Sequence, residues 1–267
     1  MALPDTRYLQ LDLRDGVLHA TLNRPDAFNA LNAGLIDDLV STFGAIRDDH
    51  AVRVVVISGS GKHFCVGADL HEVGQMNTDD AERATTIQHN RRFGEVLQAI
   101  DAAPQAVVVL ASGAALGGGF GLLCVADVTI VTADARMGMP ETRLGLPAAQ
   151  ILPFVIERIG KAEARRLGIC GIQFDGAEAK RLGVAHHVVA DSDAGEAVLA
   201  EVLTQILACA PGANAVTKEV IRSHDPAHIA QQLDTSAALF TDCLYGAEGQ
   251  EGTHAFLEKR APSWAQR

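Results

Sequence analysis

Positive charge is scarce in this chain. There are 22 Lys and Arg against 33 Asp and Glu, a formal net charge of −11. A protein that grips nucleic acid in general needs a basic surface to neutralise phosphates, so that class is excluded. Paired cysteines are missing as well. Cys65, Cys124, Cys170, Cys209 and Cys243 are odd in number, far apart and without a CxxC pair. They read as free thiols in a reducing compartment, not as a disulfide framework or a zinc site. Apolar runs stop short of the ~18 residues a membrane span needs. The stretch from Gly113 to Ala126 comes nearest, and it is rich in glycine. "MALPDTRYLQLDLRDGVLH" carries charges throughout and has no apolar h-region, so the expected place is the cytoplasm, away from membranes.

What the sequence has is apolar content, 48% of 267 residues, enough for a sizeable core. "YLQLDL" (8–13) and "VLHATL" (17–22) alternate around "RDG" and predict a hairpin. "NAGLIDDLVSTFGAIR" (32–47) has helical spacing with Asn32 as cap. "VRVVVISG" (52–59) and "QAVVVLASG" (105–113) are short β-branched runs, expected as strands buried on both faces. Helices are expected over 79–101, 151–160 and 161–170, the first of the last two closed by Gly160. "DVTIVT" (127–132), "ARMGM" (135–139) and "VAHHVVA" (184–190) predict short strands, and "FDGAEAKRLG" (174–183) a short helix. The unit of strand, loop and helix recurs about four times before residue 160. Beyond 193 almost everything is helix-forming, which places a core over 1–195 and a helical region over 196–267.

"GGGFGLLCVAD" (117–127) puts three glycines at a helix start and a fourth, Gly121, inside the helix. Each interior glycine costs about 1 kcal/mol against alanine. A dinucleotide fingerprint does not explain them, because the third glycine of G-x-G-x-x-G would fall on Leu122 or on Cys124. There is no G-x-S-x-G elbow, "HEVGQ" (71–75) lacks the second histidine of H-E-x-x-H, and no metal site is expected. His186 and His187 are adjacent, so a strand points them to opposite faces, as surface and packing residues. Glycines at a helix start let a ligand oxygen approach backbone N–H groups and the positive dipole end. "FCVGADL" (64–70) has the same character. Two such segments form an oxyanion hole, each donor contributing roughly 3 kcal/mol. The alternative is that these glycines only permit tight helix-on-sheet packing.

Taken in order, "LNRPDAFNALN" (22–32), "HFCVGADL" (63–70), "GAALGGGFGLLCVAD" (113–127), "MPETRLGLPAAQ" (139–150), "GIQFDGAEAKRLGVAHHVV" (171–189) and "EGQEGTHAFLEKRAPSW" (248–264) strongly resemble the enoyl-CoA hydratase/isomerase (crotonase) superfamily. The resemblance covers nearly the whole chain. It implies an α/β fold, a spiral of ββα units with a helical C-terminal trimerisation region, and a homotrimer or a dimer of trimers. It implies an acyl-CoA substrate, with coenzyme A as part of that substrate and no separate cofactor. Within the superfamily, the glycine-rich segment, "PETRLGLPAAQILPFVIERIG" and "CAPGANAVTKEV" are most similar to hydratases of 3-methylglutaconyl-CoA and, above all, isohexenylglutaconyl-CoA, used in leucine and acyclic-terpene breakdown.

Carried over residue by residue, the resemblance places the oxyanion donors on the N–H groups of Ala68 and Gly118. The usual pair of catalytic glutamates falls on positions 121 and 141. Glu141 is present; position 121 is glycine. One carboxylate can deprotonate water and return the same proton to Cα, or it can shuttle one proton between carbons as isomerases of this superfamily do. An acyl-CoA-binding oligomer with little catalysis is the reading from another class. Gly121 lies one turn beyond Gly118 and shares its face, so with Gly117 it is expected to line the acyl pocket and leave room for a branch at Cβ. A salt bridge to Arg143 is the plain alternative for Glu141. A glutaconyl group carries a distal carboxylate, for which Arg143 and Gln150 are candidate partners. Phe64, Val66, Ala68, Asp69, Leu70 and His71 fall where relatives hold coenzyme A. Phe256 and Lys259 match positions that reach an adenine site, often on a neighbouring subunit.

Overall fold

A computed structural model describes residues 3–70, 80–225, 233, 235, 239–244 and 246–265, the side chains of 80–84 excepted. The expected hairpin is β1 (Leu9–Arg14) and β2 (Val17–Leu22), antiparallel about Asp15 and Gly16, both at positive φ. β3 (Val54–Gly59), β4 (Ala106–Ala111), β6 (Val128–Thr132) and β9 (His187–Val189) then add in parallel, giving the order β1-β2-β3-β4-β6-β9. A second sheet has β5 (Ala114–Leu116) parallel to β7 (Arg136–Gly138), and β7 antiparallel to β8 (Gln173–Phe174).

Burial follows from the near-continuous apolar runs. Val55, Ile57, Val107 and Val109 enter a large cluster with Leu35, Leu39 and Phe43 of α1 (Ala33–Ile46). To it α2 (Asp80–Asp101) adds Val96, Leu97 and Ile100, and α3 (Gly118–Cys124) adds Phe120, Leu122 and Leu123. Val54, Val56, Val108 and Ile130 point the other way, against Leu199, Val202 and Leu207 of α6 (Ser192–Leu207). Alternation within a strand thus feeds two cores, as a sheet covered on both faces requires. Asn32 caps α1 as expected, accepting the Leu35 N–H at 2.9 Å.

The helix α4 (Leu152–Cys170) is broken at Gly160 (φ 76°), where the sequence places the boundary between two helices. The short α5 (Gly176–Leu182) follows, capped by Asp175. One boundary needs correcting. A division at 195/196 cuts α6, whose apolar face is part of the core. α7 (Pro211–Arg222) and α8 (Ala247–Leu257) lie outside the core. Arg53 ties this end down, donating to Leu207 O, Cys209 O and Trp264 O at 2.8–3.0 Å. Among the described residues no single helix is long and apolar enough to cross a membrane.

Candidate active site

The segment 64–70 is held from both sides. Phe64 N–H donates to Ser112 O, Cys65 N–H to Ala114 O and Val66 N–H to Phe28 O. Leu31 N–H donates to Gly67 O at 2.7 Å, and Asp69 N–H to Leu31 O at 3.1 Å. Leu31 thereby brackets Ala68 in a parallel bridge, which turns the Ala68 N–H away. No backbone acceptor among the described residues takes it. Asn29, fully buried at φ 55°, donates to the Ser60 and His63 carbonyls. Arg24 stacks on Tyr8 and pairs with the buried Asp69 at 2.8 Å.

Gly118, the second expected donor, lies against the segment of the first. Gly67, at φ 92°, approaches so closely that a Cβ there would sit 3.3 Å from the Gly118 N and 2.9 Å from Leu116 O. Gly117 opens α3 at φ 52° without a side-chain cap, leaving the Gly118 N–H, like that of Ala68, without a backbone acceptor among the described residues. Leu31 and Phe93 form the wall at Gly118, where a Cβ would come within 2.5 and 3.1 Å of them.

Glu141 reaches this point because β5 and β7 end together. Leu116 pairs with Gly138, and Gly117 N–H donates to Gly138 O at 2.9 Å. The chain then turns at Pro140 into a 3-10 helix, Pro140–Leu144, that closes on Gly145 and Leu146 through the Glu141 carbonyl. A Cβ on Gly117 would lie 2.8 Å from Glu141 Oε1. Oε2 is buried without a hydrogen-bond partner. Burial pushes the Glu141 pKa above the usual carboxylate range, and a backbone hydrogen bond pulls weakly the other way. An acid–base group suits such an atom, since water or a reacting proton supplies what the fold withholds.

Other expected residues lie elsewhere or are filled. Gly121 is buried, and the space its side chain would take is occupied by Ile151 Cγ2, with Ile151 Cβ at 3.1 Å and Leu97 Cδ2 at 3.6 Å. The expected vacancy at 121 is therefore closed by hydrocarbon. Arg143 is exposed and runs over Gly171, whose Cβ would meet its Cγ at 3.0 Å; no Arg143–Glu141 ion pair occurs among the described residues. Gln150 donates to Asn90 at 2.9 Å and packs on Gly94 of α2. Phe64 is core, and the Asp69 carboxylate is taken by Arg24, which leaves backbone as the means by which these two could meet a ligand. Val66 is half-buried and Leu70 is 52% exposed. His71 lies outside the described residues. Phe256, 82% exposed, and Lys259 stand in solvent. No hydrogen bond, ion pair or ring contact joins either to 64–70 among the described residues.

Sequence reasoning missed Leu31, Phe93, Leu97 and Ile151 as walls, and Arg24 as the partner of Asp69. Apolar walls drawn from one helix, the residue that opens another and a loop leave no local signal. The pairing of an Arg with an Asp 45 residues later is equally invisible to spacing. Among the described residues no three His, Cys, Asp or Glu side chains gather to hold a metal.

Strand ends that bring two unclaimed main-chain N–H groups beside a buried carboxylate, on a spiral of short α/β units, define the crotonase class of fold. The comparisons agree: the chain belongs to the enoyl-CoA hydratase/isomerase family, whose profile matches residues 12–267. A probable enoyl-CoA hydratase echA8 of Mycobacterium bovis is 32% identical over 98% of this chain and 99% of its own length. The human mitochondrial enoyl-CoA hydratase domain-containing protein 2 is 34% identical over 93% of this chain and 85% of its own. Among solved structures, Pseudomonas aeruginosa AtuE superposes with a TM-score of 0.91 at 46% identity, covering 97% of this chain and all of that one. An enoyl-CoA hydratase/isomerase from Marinobacter aquaeolei gives 0.92 at 38% identity, over 97% and 99% of the two chains. The protein is an enzyme of acyl-CoA chemistry, of the hydratase/isomerase kind; the relatives matched over most of its length are themselves named enoyl-CoA hydratases, which are hydro-lyases.

Proposed function

We propose that this enzyme adds water across the α,β double bond of a β-branched glutaconyl-CoA, of the isohexenylglutaconyl or 3-methylglutaconyl kind. The Ala68 and Gly118 N–H groups donate to the thioester oxygen as an oxyanion hole, and Glu141 is the acid–base. The observation that carries this reading is the buried, unpartnered Oε2 of Glu141 beside Gly117. Polarising the thioester draws electrons from Cβ. Glu141 takes a proton from water, hydroxide adds to Cβ, and the enolate collapses as Glu141 gives the same proton to Cα. One carboxylate balances the cycle.

The glutaconyl acyl group is supported by the likeness of the glycine-rich, 140–160 and 209–220 segments to such hydratases. Filling of position 121 by Ile151 moves the branch to another wall. Arg143 serves the distal carboxylate only if it lifts off Gly171. The reaction is assigned to the cytoplasm, in a trimer or a dimer of trimers, to which the exposed Phe240, Phe256 and Leu257 of the C-terminal region lend apolar surface.

A rival is favoured by the same single acid: an isomerase in which Glu141 moves one proton between Cα and Cγ. Incubation with a branched glutaconyl-CoA and with a 3-enoyl-CoA separates the two. A mass gain of one water on the first, lost in Glu141→Gln, is the expected result. A double-bond shift in the ultraviolet without mass change establishes the isomerase instead. If Arg143→Ala leaves the KM for the glutaconyl-CoA unchanged, Arg143 is not the carboxylate partner.

A further inference from the structure

Helix α3 has seven residues, and its last carbonyls have no N–H of the helix to accept. Arg158 of α4 answers three of the carbonyls at this end. Its Nε donates to Cys124 O at 3.2 Å, and its Nη2 donates to Leu123 O at 3.3 Å and to Ala126 O. The side chain is half-buried between the two helices. Seven residues separate Ile151 from Arg158, so both lie on one face of this helical stretch. That face meets α3 twice: Ile151 closes on Gly121, and Arg158 holds the C-terminal end. Gly160 breaks the helix two residues beyond Arg158.

We propose that Arg158 is a positioning residue for the oxyanion hole, setting through α3 where the Gly118 N–H points. The proposal rests on Gly118 being an oxyanion donor. The N-terminal end of α3 has no side-chain cap to anchor it, because Gly117 carries none. Backbone holds that end, through Gly117 N–H on Gly138 O, and Arg158 adds the side-chain hold at the other, on the carbonyls of Leu123, Cys124 and Ala126. At 1.5 Å per residue the two ends are about 10 Å apart, and so short a helix moves as a rigid rod. The guanidinium fork is suited to several carbonyls at once, which a lysine ammonium on a flexible stem cannot match. Its charge also complements the negative end of the helix dipole.

The test uses the full chain and an aryl-conjugated 2-enoyl-CoA, whose absorption shifts to the red when its carbonyl is polarised. Arg158→Met and Arg158→Lys are compared with the unaltered protein for kcat, KM, thermal midpoint and this red shift. The expected result for Arg158→Met is a kcat loss of about 10- to 100-fold, the scale of a weakened oxyanion donor. KM should stay within about threefold, the red shift should diminish, and added guanidinium should restore part of both. Arg158→Lys should fall between, and it carries the test if Arg158→Met does not fold. A full red shift and unchanged kcat in a folded variant overturn the assignment. A loss of kcat that tracks the unfolded fraction, with the red shift intact, overturns it too. If the unaltered protein binds the probe and shows no red shift, the oxyanion hole itself is refuted, and Arg158 with it.

Discussion

The carboxylate of Glu141 rests against the Cα of Gly117, so close that a β-carbon on Gly117 would stand 2.8 Å from Oε1. Gly117 holds φ 52°, a conformation L side chains rarely adopt. Two demands therefore meet at one residue: a left-handed turn into α3 and a close approach to the acid. Gly117→Ala should cost about 1–2 kcal/mol in backbone strain and should push the Glu141 side chain out of place. Loss of at least about 100-fold in kcat is expected, since a displacement near 1 Å at a reacting group costs that much. Steady-state kinetics beside a urea titration will show whether activity falls further than stability. Retention of kcat would mean that this contact does not position the acid.

Glu141 makes a prediction of unusual sign. Burial raises its folded pKa above the usual 4.5. Between 4.5 and that raised value the native state holds a proton that the unfolded chain has released. Stability from this group therefore falls as pH rises through the window, and the deficit is complete above it. Glu141→Gln removes the charge and keeps the shape. At pH 8 the variant should be more stable than the unaltered protein by up to about 1 kcal/mol, the gain coming from the lost charge and kept small by solvent screening of a half-buried group. That corresponds to about 2–4 °C in Tm for a chain of this size. Below pH 4.5 the difference should fade. Hydration should fall by about 100-fold or more. A variant that is less stable at pH 8, or that keeps its turnover, would show that Oε2 is satisfied in solution or is not the acid.

Much of this arrangement was legible in the sequence, for identifiable reasons. The strands β2, β3, β4 and β6 and the break at Gly160 followed from β-branched runs and from one glycine, because those signals are local. The strands β5 and β8, of three and two residues, are too short to show a period and exist through pairing with β7. The two donor segments were visible as small residues at helix starts. Their convergence stood as one of two readings, because it depends on Gly67 and Gly117 meeting across 50 positions, which no local pattern decides. The reading of Gly121 as open space went astray for a similar reason. A glycine shows that a side chain is missing and says nothing of what another helix puts in its place.

Ile151 is what α4 puts there, and the pair makes the sharpest test of the pocket wall. Gly121→Glu must force a carboxylate into space held by Ile151 Cγ2 and bounded by Leu97. Overpacking of this kind costs typically about 1–3 kcal/mol, and a buried unpaired charge adds to it. Ile151→Ala alone leaves a cavity, costing about 2–5 kcal/mol. If the two side chains compete for one volume, the double variant should be more stable than the sum of the singles predicts, by about 1 kcal/mol or more. Chemical denaturation of the four proteins measures that coupling without reference to any substrate. Hydration of a short straight-chain 2-enoyl-CoA then asks a separate question. A second carboxylate admitted beside α3 should raise turnover in the double variant over Ile151→Ala alone. Additive stabilities would mean that residue 121 finds other space, and the wall assigned to Ile151 would have to be redrawn.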